Sequence, residues 1–228
     1  MKLAWQQIPS TIISELLCNI ELDGVVIDTE HSAFNIETLY NCIQIITALN
    51  KTCFVRLTEP SKTIARACLD AGAHGIIFST VETEEQCETI HQICKFPSQG
   101  GRRGLGLVRQ NKWGIEKLIS DKPIIIAQIE TVEGIENLDK IVSFDFDYYM
   151  IGPYDLSASL GIPAEFDNPK FLEAIAKVKE TITDNNQMAV HIPTDVDKHI
   201  DKYHGYGIIA VGMDTTILLE GYKELNNA

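Results

Sequence analysis

Charged side chains follow several apolar runs of this chain at the point where each run ends. They are Asp28, Glu30 and His31 after one run, Arg56 at the end of the next, and Glu130 and Asp155 after two later ones. In a (β/α)8 barrel the catalytic groups lie at the carboxyl ends of the strands, which all open at one mouth. Solubility or chance explains one such charge as well as catalysis does, but it explains the set poorly. The pattern therefore indicates an active site at a barrel mouth.

The segment Asp28-Thr29-Glu30-His31 places a histidine beside two carboxylates. A neighbouring carboxylate can fix the tautomer of an imidazole and keep it basic near neutral pH, which suits a general base. The alternative is a structural role, in which Asp28 or Ser32 caps a helix that begins near Asn35. We predict proton transfer by His31 beside these carboxylates.

Glu130 and Asp155 stand 25 residues apart, yet on adjacent strands their carboxylates can converge at one mouth. Two hard oxygen ligands suit Mg²⁺ or Mn²⁺, and both ions prefer six oxygens, so water and a chelating substrate would complete the shell. A 2-oxo acid chelates through its carboxylate and its carbonyl oxygen. The alternative is that Glu130 caps a helix starting near Val132.

Arg56, at the end of its run, offers the planar fork of donors that matches a carboxylate. The alternative is a buried ion pair with Asp28 or Glu30. The two roles can coexist, so we predict that Arg56 contacts the substrate.

The longest irregular stretch, Phe96 to Gly106, contains Gly101-Arg102-Arg103-Gly104-Leu105-Gly106. Its Gly-x-Gly pair lacks the later glycine and the following helix of a dinucleotide-binding fingerprint. Long loops in compact domains are more often functional than idle, so we interpret it as a flexible, locally basic loop near the barrel mouth. A plain solvated loop is the alternative. His191 ends a later apolar run and is a further candidate for the mouth.

Eight short apolar runs recur along the chain with helical stretches between them. They are Leu3 to Trp5, Gly24 to Asp28, Cys53 to Arg56, Gly75 to Phe78, Ile124 to Ile129, Tyr148 to Ile151, Met188 to His191 and Ile208 to Val211. Apolar residues at helical spacing lie between them, as in Ile13, Leu16, Leu17 and Ile20. This alternation predicts parallel strands joined by helices, and eight strands favour a closed (β/α)8 TIM barrel over an open doubly wound sheet.

The 228 residues, 45% of them hydrophobic, can form one sizeable core, and we predict a single barrel domain over residues 1–228. A net charge of -13 disfavours nucleic acid and anionic membranes as partners. The six cysteines show no CxxC spacing, so neither zinc nor a disulfide framework is indicated. With no apolar run near the ~18 residues of a membrane span, we expect a soluble protein of the cytoplasm.

Several motifs, in order along nearly the whole chain, resemble the HpcH/HpaI aldolase family, the class II pyruvate aldolases that include 4-hydroxy-2-oxoheptanedioate aldolase. They are Gly24-Val-Val-Ile-Asp28-Thr-Glu30-His31, Val55-Arg56, Arg103-Gly104-Leu-Gly106, Ala127-Gln128-Ile129-Glu130-Thr131, Ile151-Gly152-Pro153-Tyr-Asp155-Leu156-Ser157 and Ala210-Val211-Gly212-Met-Asp214. Two segments depart from the family pattern. Ser79-Thr80 stands where a Pro-Met-like pair is usual, and His191-Ile192-Pro193 also differs.

The resemblance implies a role for each matching residue. Glu130 and Asp155 bind a divalent metal ion (Mg²⁺, Mn²⁺ or Co²⁺), His31 oriented by Asp28 transfers protons, and Arg56, Gln128, Gly152 and Pro153 meet the substrate. It also implies a barrel of the pyruvate/phosphoenolpyruvate type. Such chains assemble as hexamers, trimers of dimers that exchange a C-terminal helix, here Ile217 to Leu225.

The function that follows is reversible cleavage of a 4-hydroxy-2-oxo acid to pyruvate and an aldehyde through a metal-stabilised enolate. Two alternatives stay open. One is another enolate-forming lyase or synthase of the same superfamily, with an oxo acid or an acyl-CoA as electrophile. The other is a catalytically silent barrel that binds a small oxo acid. The sequence does not identify the aldehyde.

Overall fold

Eight parallel strands close into a barrel in the computed structural model, which describes residues 1–116 and 122–226. The strands are β1 Lys2–Gln6, β2 Gly24–Asp28, β3 Thr52–Leu57, β4 Gly75–Phe78, β5 Ile124–Ile129, β6 Tyr148–Ile151, β7 Met188–Ile192 and β8 Ile208–Val211. Each strand pairs with its sequence neighbours, and β8 returns to pair with β1 at Leu3 and Ala210. This last pairing confirms the (β/α)8 barrel and excludes the open sheet.

Helices follow the strands around the outside of the barrel. They are α1 Thr11–Cys18, α2 Ile36–Ala48, α3 Lys62–Ala71, α4 Glu84–Cys94, α5 Val132–Glu136, α6 Leu138–Val142, α7 Pro153–Ser159, α8 Pro169–Thr181, α9 Val196–His199 and α10 Asp214–Asn226. Within the described residues, no helix combines the length and the apolar character needed to cross a membrane.

Other residues than the charged ones at the strand ends cap the helices α2 and α5. Asn35 caps α2 by accepting a hydrogen bond from the amide of Thr38, and Thr131 caps α5 through the amide of Gly134. Asp28 and Glu130 therefore do not serve as the helix caps that were the alternative to catalysis, and their side chains turn towards the barrel mouth instead.

Alternating side chains of the strands form two apolar layers. Val26 points into the barrel, whereas Val25 and Ile27 point outwards to the helices. The barrel interior is filled by large and small residues in the way that barrel cores of this type are packed. They are Leu3, Trp5, Val26, Phe54, Ile77, Ile126, Met150, Ala189, Ile208 and Ala210.

The segment after α4 that contains Arg102, Arg103 and Arg109, here called the arginine-rich loop, packs at the amino-terminal end of the strands, opposite the mouth. Arg103 is buried there, and its Nη2 donates to the Asp70 carboxylate at 2.6 Å, near the end of α3. Arg109 donates to the Ala71 carbonyl at 2.9 Å and to the Thr47 hydroxyl at 2.8 Å, at the ends of α3 and α2. The prediction that the Gly101 to Gly106 stretch lies near the mouth is therefore wrong, because a loop that leaves a helix and enters a strand starts from the other end of the barrel.

A half-buried histidine on α4 makes the fold sensitive to acid. His91 packs edge-on against Phe146 at 4.9 Å, and its Nδ1 lies 2.6 Å from the Lys95 ammonium. Burial and the charge of Lys95 lower the pKa of His91 from 6.5 to about 4. As the pH falls from 6.5 towards 4, the unfolded chain binds a proton that the folded chain does not, so stability falls with pH in that window.

We expect His91→Phe to reduce this acid sensitivity. Between pH 7 and pH 5 the variant should lose about 1 kcal/mol less unfolding free energy than the wild type, a figure discounted for partial exposure. Urea unfolding at the two pH values measures the difference, and His204→Gln, at an exposed position, is the control. An equal loss in the His91 variant and the wild type would contradict the assignment.

Candidate active site

A buried ion-pair network joins β2 and β3 at the mouth. Arg56 donates through Nε and Nη2 to the two oxygens of Asp28, at 2.9 and 2.7 Å, and its Nη1 lies 2.9 Å from Glu30. Burial alone would raise the pKa of Asp28, but the bonds and the charge of Arg56 outweigh it and hold that pKa below its usual range. The buried ion pair proposed for Arg56 thus exists with both carboxylates. It fixes the guanidinium at the mouth.

Trp5, on β1, completes this network and was missed by the sequence analysis. Its indole Nε1 donates to Asp28 at 3.2 Å, and the guanidinium carbon of Arg56 lies 4.9 Å from the centre of its ring. Gln7 also donates to Asp28, at 3.3 Å. The only sign of this role in the sequence was the position of Trp5 near the end of a strand. That sign was weak, because an aromatic residue there can equally belong to the barrel core.

His31 lies at the rim of the mouth with 58% of its side chain exposed. Its Nε2 is 3.9 Å from Glu30, whereas Asp28 contacts only the backbone amide of His31, at 3.5 Å. Asp28 also accepts from the amide of Glu30 at 3.1 Å. The carboxylate that faces the imidazole is therefore Glu30, because the two oxygens of Asp28 are taken up by Arg56, and Asp28 acts on His31 through the loop backbone.

The carboxylate of Glu130 is buried and held on both oxygens. The amide and the hydroxyl of Thr80 donate to Oε1, at 2.7 and 2.9 Å, and the Gln128 amide donates to Oε2. Thr80 adopts a left-handed φ of 52°, which turns both of its donors to the same oxygen. Gly152 leaves the room that the carboxylate occupies, because a Cβ there would lie 2.2 Å from Oε2.

The neighbouring residues Ser79 and Thr80 donate hydrogen bonds to the carboxylates at the mouth. Ser79 donates to Glu30 at 2.9 Å, and Thr80 holds Glu130. In the sequence this pair stands out only as a departure from the family pattern. Small hydroxyl residues after a strand are common in turns, so their type alone carried no signal of this role.

The charges at the mouth fit a divalent cation. Burial, Glu30 and Asp155 all raise the pKa of Glu130, although bonds from Thr80 and Gln128 oppose them. Asp155, in the first turn of α7, is exposed to the cavity side, and Arg56 is the cation that faces Asp28, Glu30 and Glu130. This excess of negative charge, and the buried Gln128 Oε1 that lacks a partner within the described chain, suit a hydrated metal ion.

Few protein side chains at the mouth could bind such an ion directly. No group of three or more His, Cys, Asp or Glu side chains suited to a metal occurs within residues 1–116 and 122–226. Glu130 and Asp155 stay the two predicted protein ligands, and water and substrate oxygens would complete the shell, as is common for Mg²⁺.

A cavity of about 370 Å³ opens at the mouth and gathers most of the predicted residues. Asp28 and Glu130 are buried behind its lining, bonded to Arg56 and Gln128. Its lining includes His31, Arg56, Gln128, Gly152, Pro153 and Asp155, together with Trp5 and His191. A larger groove of about 580 Å³ lies on the outside between α5 and α8, where lysine and glutamate side chains line it and none of the predicted site residues does. The predicted residues that line a cavity therefore lie at the mouth and not at the outer groove.

The chain is similar to several aldolases along most of its length. It is 29% identical to the hydroxypyruvate/pyruvate aldolase of Roseobacter denitrificans, over 97% of this chain and 89% of the relative. It is 28% identical to the 4-hydroxy-2-oxovalerate aldolase of Rhodococcus jostii, over 94% of this chain and 85% of the relative. These relatives are aldolases, which confirms the prediction of a carbon–carbon lyase.

Solved structures and a family model extend the comparison. An HpcH/HpaI aldolase/citrate lyase family protein from Burkholderia cenocepacia shares the fold with a TM-score of 0.89 at 23% identity, covering 100% of this chain and 93% of that one. The citrate synthase SbnG matches with a TM-score of 0.85 at 27% identity, covering 99% and 91%. The family model described as HpcH/HpaI aldolase/citrate lyase matches residues 5–220. The chain therefore belongs to the HpcH/HpaI aldolase/citrate lyase family.

Proposed function

We propose that this protein is a divalent-metal-dependent aldolase that reversibly cleaves a 4-hydroxy-2-oxo acid to pyruvate and an aldehyde. The observation that carries the proposal is the buried carboxylate of Glu130, held by Thr80 and Gln128 beside Arg56 in the mouth of an aldolase-family barrel. Glu130 and Asp155 would hold a divalent cation, which would supply Lewis-acid stabilisation of negative charge on the oxo acid.

His31 removes the proton in the cleavage direction. As the base takes the proton of the C4 hydroxyl, the C3–C4 bond breaks, the aldehyde leaves, and the electron pair stays on the pyruvate fragment as its enolate. Exposure at the rim gives His31 access to that hydroxyl, and proton transfer of this kind contributes roughly 10² to 10⁴ in rate. A proton returned to C3 then gives pyruvate.

Arg56 stabilises the negative charge that appears on the enolate. Its guanidinium is preorganised by Asp28 and Glu30, so it does not have to reorient during the reaction. Gln128, Gly152 and Pro153 line the cavity beside it and contact the oxo acid. No lysine is among these residues, so the scheme needs no Schiff base.

A second candidate keeps the enolate and changes the electrophile. The similarity to the citrate synthase SbnG favours it, because a synthase on the same barrel forms a carbon–carbon bond in the condensing direction. Turnover of oxaloacetate or of an acyl thioester, in the absence of aldehyde, separates this candidate from the aldolase.

We also propose that the chain works as a homo-oligomer, with the hexamer as the expected form. Helix α10 leaves large apolar side chains in solvent, which is unfavourable for a monomer. They are Ile217, Leu218, Leu219, Tyr222 and Leu225. Sedimentation of the purified protein measures the assembly.

Metal removal tests the proposed function directly. After EDTA treatment and desalting, the protein should not exchange the methyl protons of pyruvate with deuterated water, and Mn²⁺ or Mg²⁺ should restore the exchange. Proton NMR follows the methyl signal without any need to know the aldehyde. Exchange that persists without metal, or that no metal restores, contradicts the proposal.

A further inference from the structure

An imidazole on β7 forms part of the cavity wall and has no role in the scheme above. His191 stacks face to face on Trp5, with ring centres 3.9 Å apart and planes at 9°. Its Nε2 lies 2.9 Å from the carbonyl oxygen of Gly212, which follows β8. These two contacts fix both the plane and the rotation of the ring.

The contact with Gly212 determines which nitrogen carries the proton. A carbonyl oxygen only accepts hydrogen bonds, so Nε2 must be the donor and Nδ1 holds the lone pair of the neutral ring. Burial and the charge of Arg56 lower the pKa of His191 to about 4, against the opposing effects of Gly212 and Asp28. The ring is therefore neutral at physiological pH, and no residue in the described part of the chain donates to Nδ1.

A neutral acceptor in the wall selects among the groups that a substrate can present. It repels the oxygens of a carboxylate and gains nothing from an alkyl group, whereas a hydroxyl can donate to it. Arg56, which also packs against Trp5, is the group that would bind the negatively charged carboxylate of the substrate. Nδ1 of His191 is thus suited to a hydroxyl that lies apart from the carboxylate.

We propose that Nδ1 of His191 accepts a hydrogen bond from a substrate hydroxyl group, so that the enzyme favours a hydroxylated substrate over its plain alkyl analogue. The inference rests on the proposed function only in placing the substrate in the mouth cavity. A site built to pair with a hydroxyl disfavours the analogue that lacks it, because the acceptor is then left without a partner. For a part-buried acceptor we expect a preference of about ten-fold or more.

The hydroxyl can belong to either half of the reaction, and two pairs of probes separate the sources. Pyruvate and hydroxypyruvate differ by one hydroxyl on the oxo acid, and acetaldehyde and glycolaldehyde differ by one on the aldehyde. Each pair gives a ratio of kcat/KM values, hydroxylated over plain, with the other reactant held constant.

Two variants test the inference. His191→Phe keeps an aromatic ring for Trp5 but has no acceptor, whereas His191→Asn loses the ring and keeps an acceptor close to the position of Nδ1. In the Phe variant one of the two ratios should fall about ten-fold, and in the Asn variant the same ratio should stay within about three-fold of the wild type. The ratio that falls identifies the half that carries the hydroxyl.

Other results overturn the inference. If neither ratio changes in the Phe variant, His191 does not recognise a hydroxyl. If the Asn variant loses as much as the Phe variant, an acceptor at this position does not keep the preference, and the inference is wrong.

A binding measurement separates this inference from the proposed function. Calorimetric affinities for the two oxo acids, and for the two aldehydes with pyruvate present, are measured with Mn²⁺ and need no turnover. If the wild type shows no aldol reaction with any combination of these oxo acids and aldehydes, the aldolase proposal fails. The His191 inference then stands only if the affinity ratio falls in the Phe variant and is kept in the Asn variant, and it is wrong otherwise.

Discussion

Glu130→Gln is expected to lower aldol turnover at least about a thousand-fold, which corresponds to a loss of about 4 kcal/mol of transition-state stabilisation. The amide keeps the size of the side chain and an oxygen that can accept from Thr80, but it removes the charge that would bind a divalent cation. The fold should survive, with an unfolding free energy within about 1 kcal/mol of the wild type, because a neutral group is buried in place of a charged one.

Three measurements check this prediction together. Pyruvate release reports turnover, calorimetric titration with Mn²⁺ reports metal binding, and urea unfolding reports stability. Glu133→Gln is the matched control, since it makes the same change at an exposed position on α5. Normal turnover in the Glu130 variant removes the metal-site assignment, and loss of stability without loss of metal affinity assigns Glu130 a structural role instead.

Arg56→Lys should damage both activity and stability, although it conserves the charge. A lysine cannot make the two parallel bonds to Asp28 while also reaching Glu30, because its ammonium is a single point of charge rather than a fork. We expect kcat/KM to fall by about 10² to 10³. The unfolding free energy should fall by about 2 to 4 kcal/mol, because Asp28 is buried and loses part of its pairing.

Steady-state kinetics and urea unfolding of the same preparation measure the two effects. Arg66→Lys, at an exposed position on α3, is the control and should leave both quantities as they are. A variant that loses stability but keeps its kcat/KM would show that Arg56 only holds the mouth together and does not contact the substrate.

The strands could be read from the sequence because buried parallel strands are continuous apolar runs. Five strands were predicted with the ends that the structure gives them. They are Gly24–Asp28, Gly75–Phe78, Ile124–Ile129, Tyr148–Ile151 and Ile208–Val211. Two of the others begin at polar residues, Lys2 and Thr52, which the apolar pattern leaves out, and β7 extends one residue further, to Ile192. Closure depends on pairing between residues at opposite ends of the chain, and no local pattern encodes it.

The site was predictable as far as charge at strand ends marks it. Asp28, Arg56 and Glu130 do lie together at the mouth, as their positions indicated. The partners that hold them were not predictable in the same way, because Trp5 has the character of a core residue and Thr80 that of a turn residue. Their contacts join the ends of neighbouring strands, β1 with β2 and β4 with β5, and depend on side-chain directions that the residue types do not encode.

The place of the arginine-rich loop was available from the order of the elements. It follows a helix and precedes a strand, which puts it at the amino-terminal end of the barrel. Its length and its glycines and arginines suggested a loop at the mouth, although the order of the elements places it at the opposite end. Buried arginines are as well suited to holding the ends of helices as to binding an anion, since the last carbonyls of a helix need donors.

The packing of Arg103 and Arg109 against the ends of α2 and α3 gives the barrel two faces with different tolerance to change. At Gly72, with a φ of 102°, an added Cβ would lie 2.7 Å from Arg109, so even an alanine there is strained. Random libraries aimed at new substrates should therefore leave this end untouched and diversify the opposite rim. We expect libraries confined to the mouth to keep a larger fraction of folded variants than libraries that also change the opposite end.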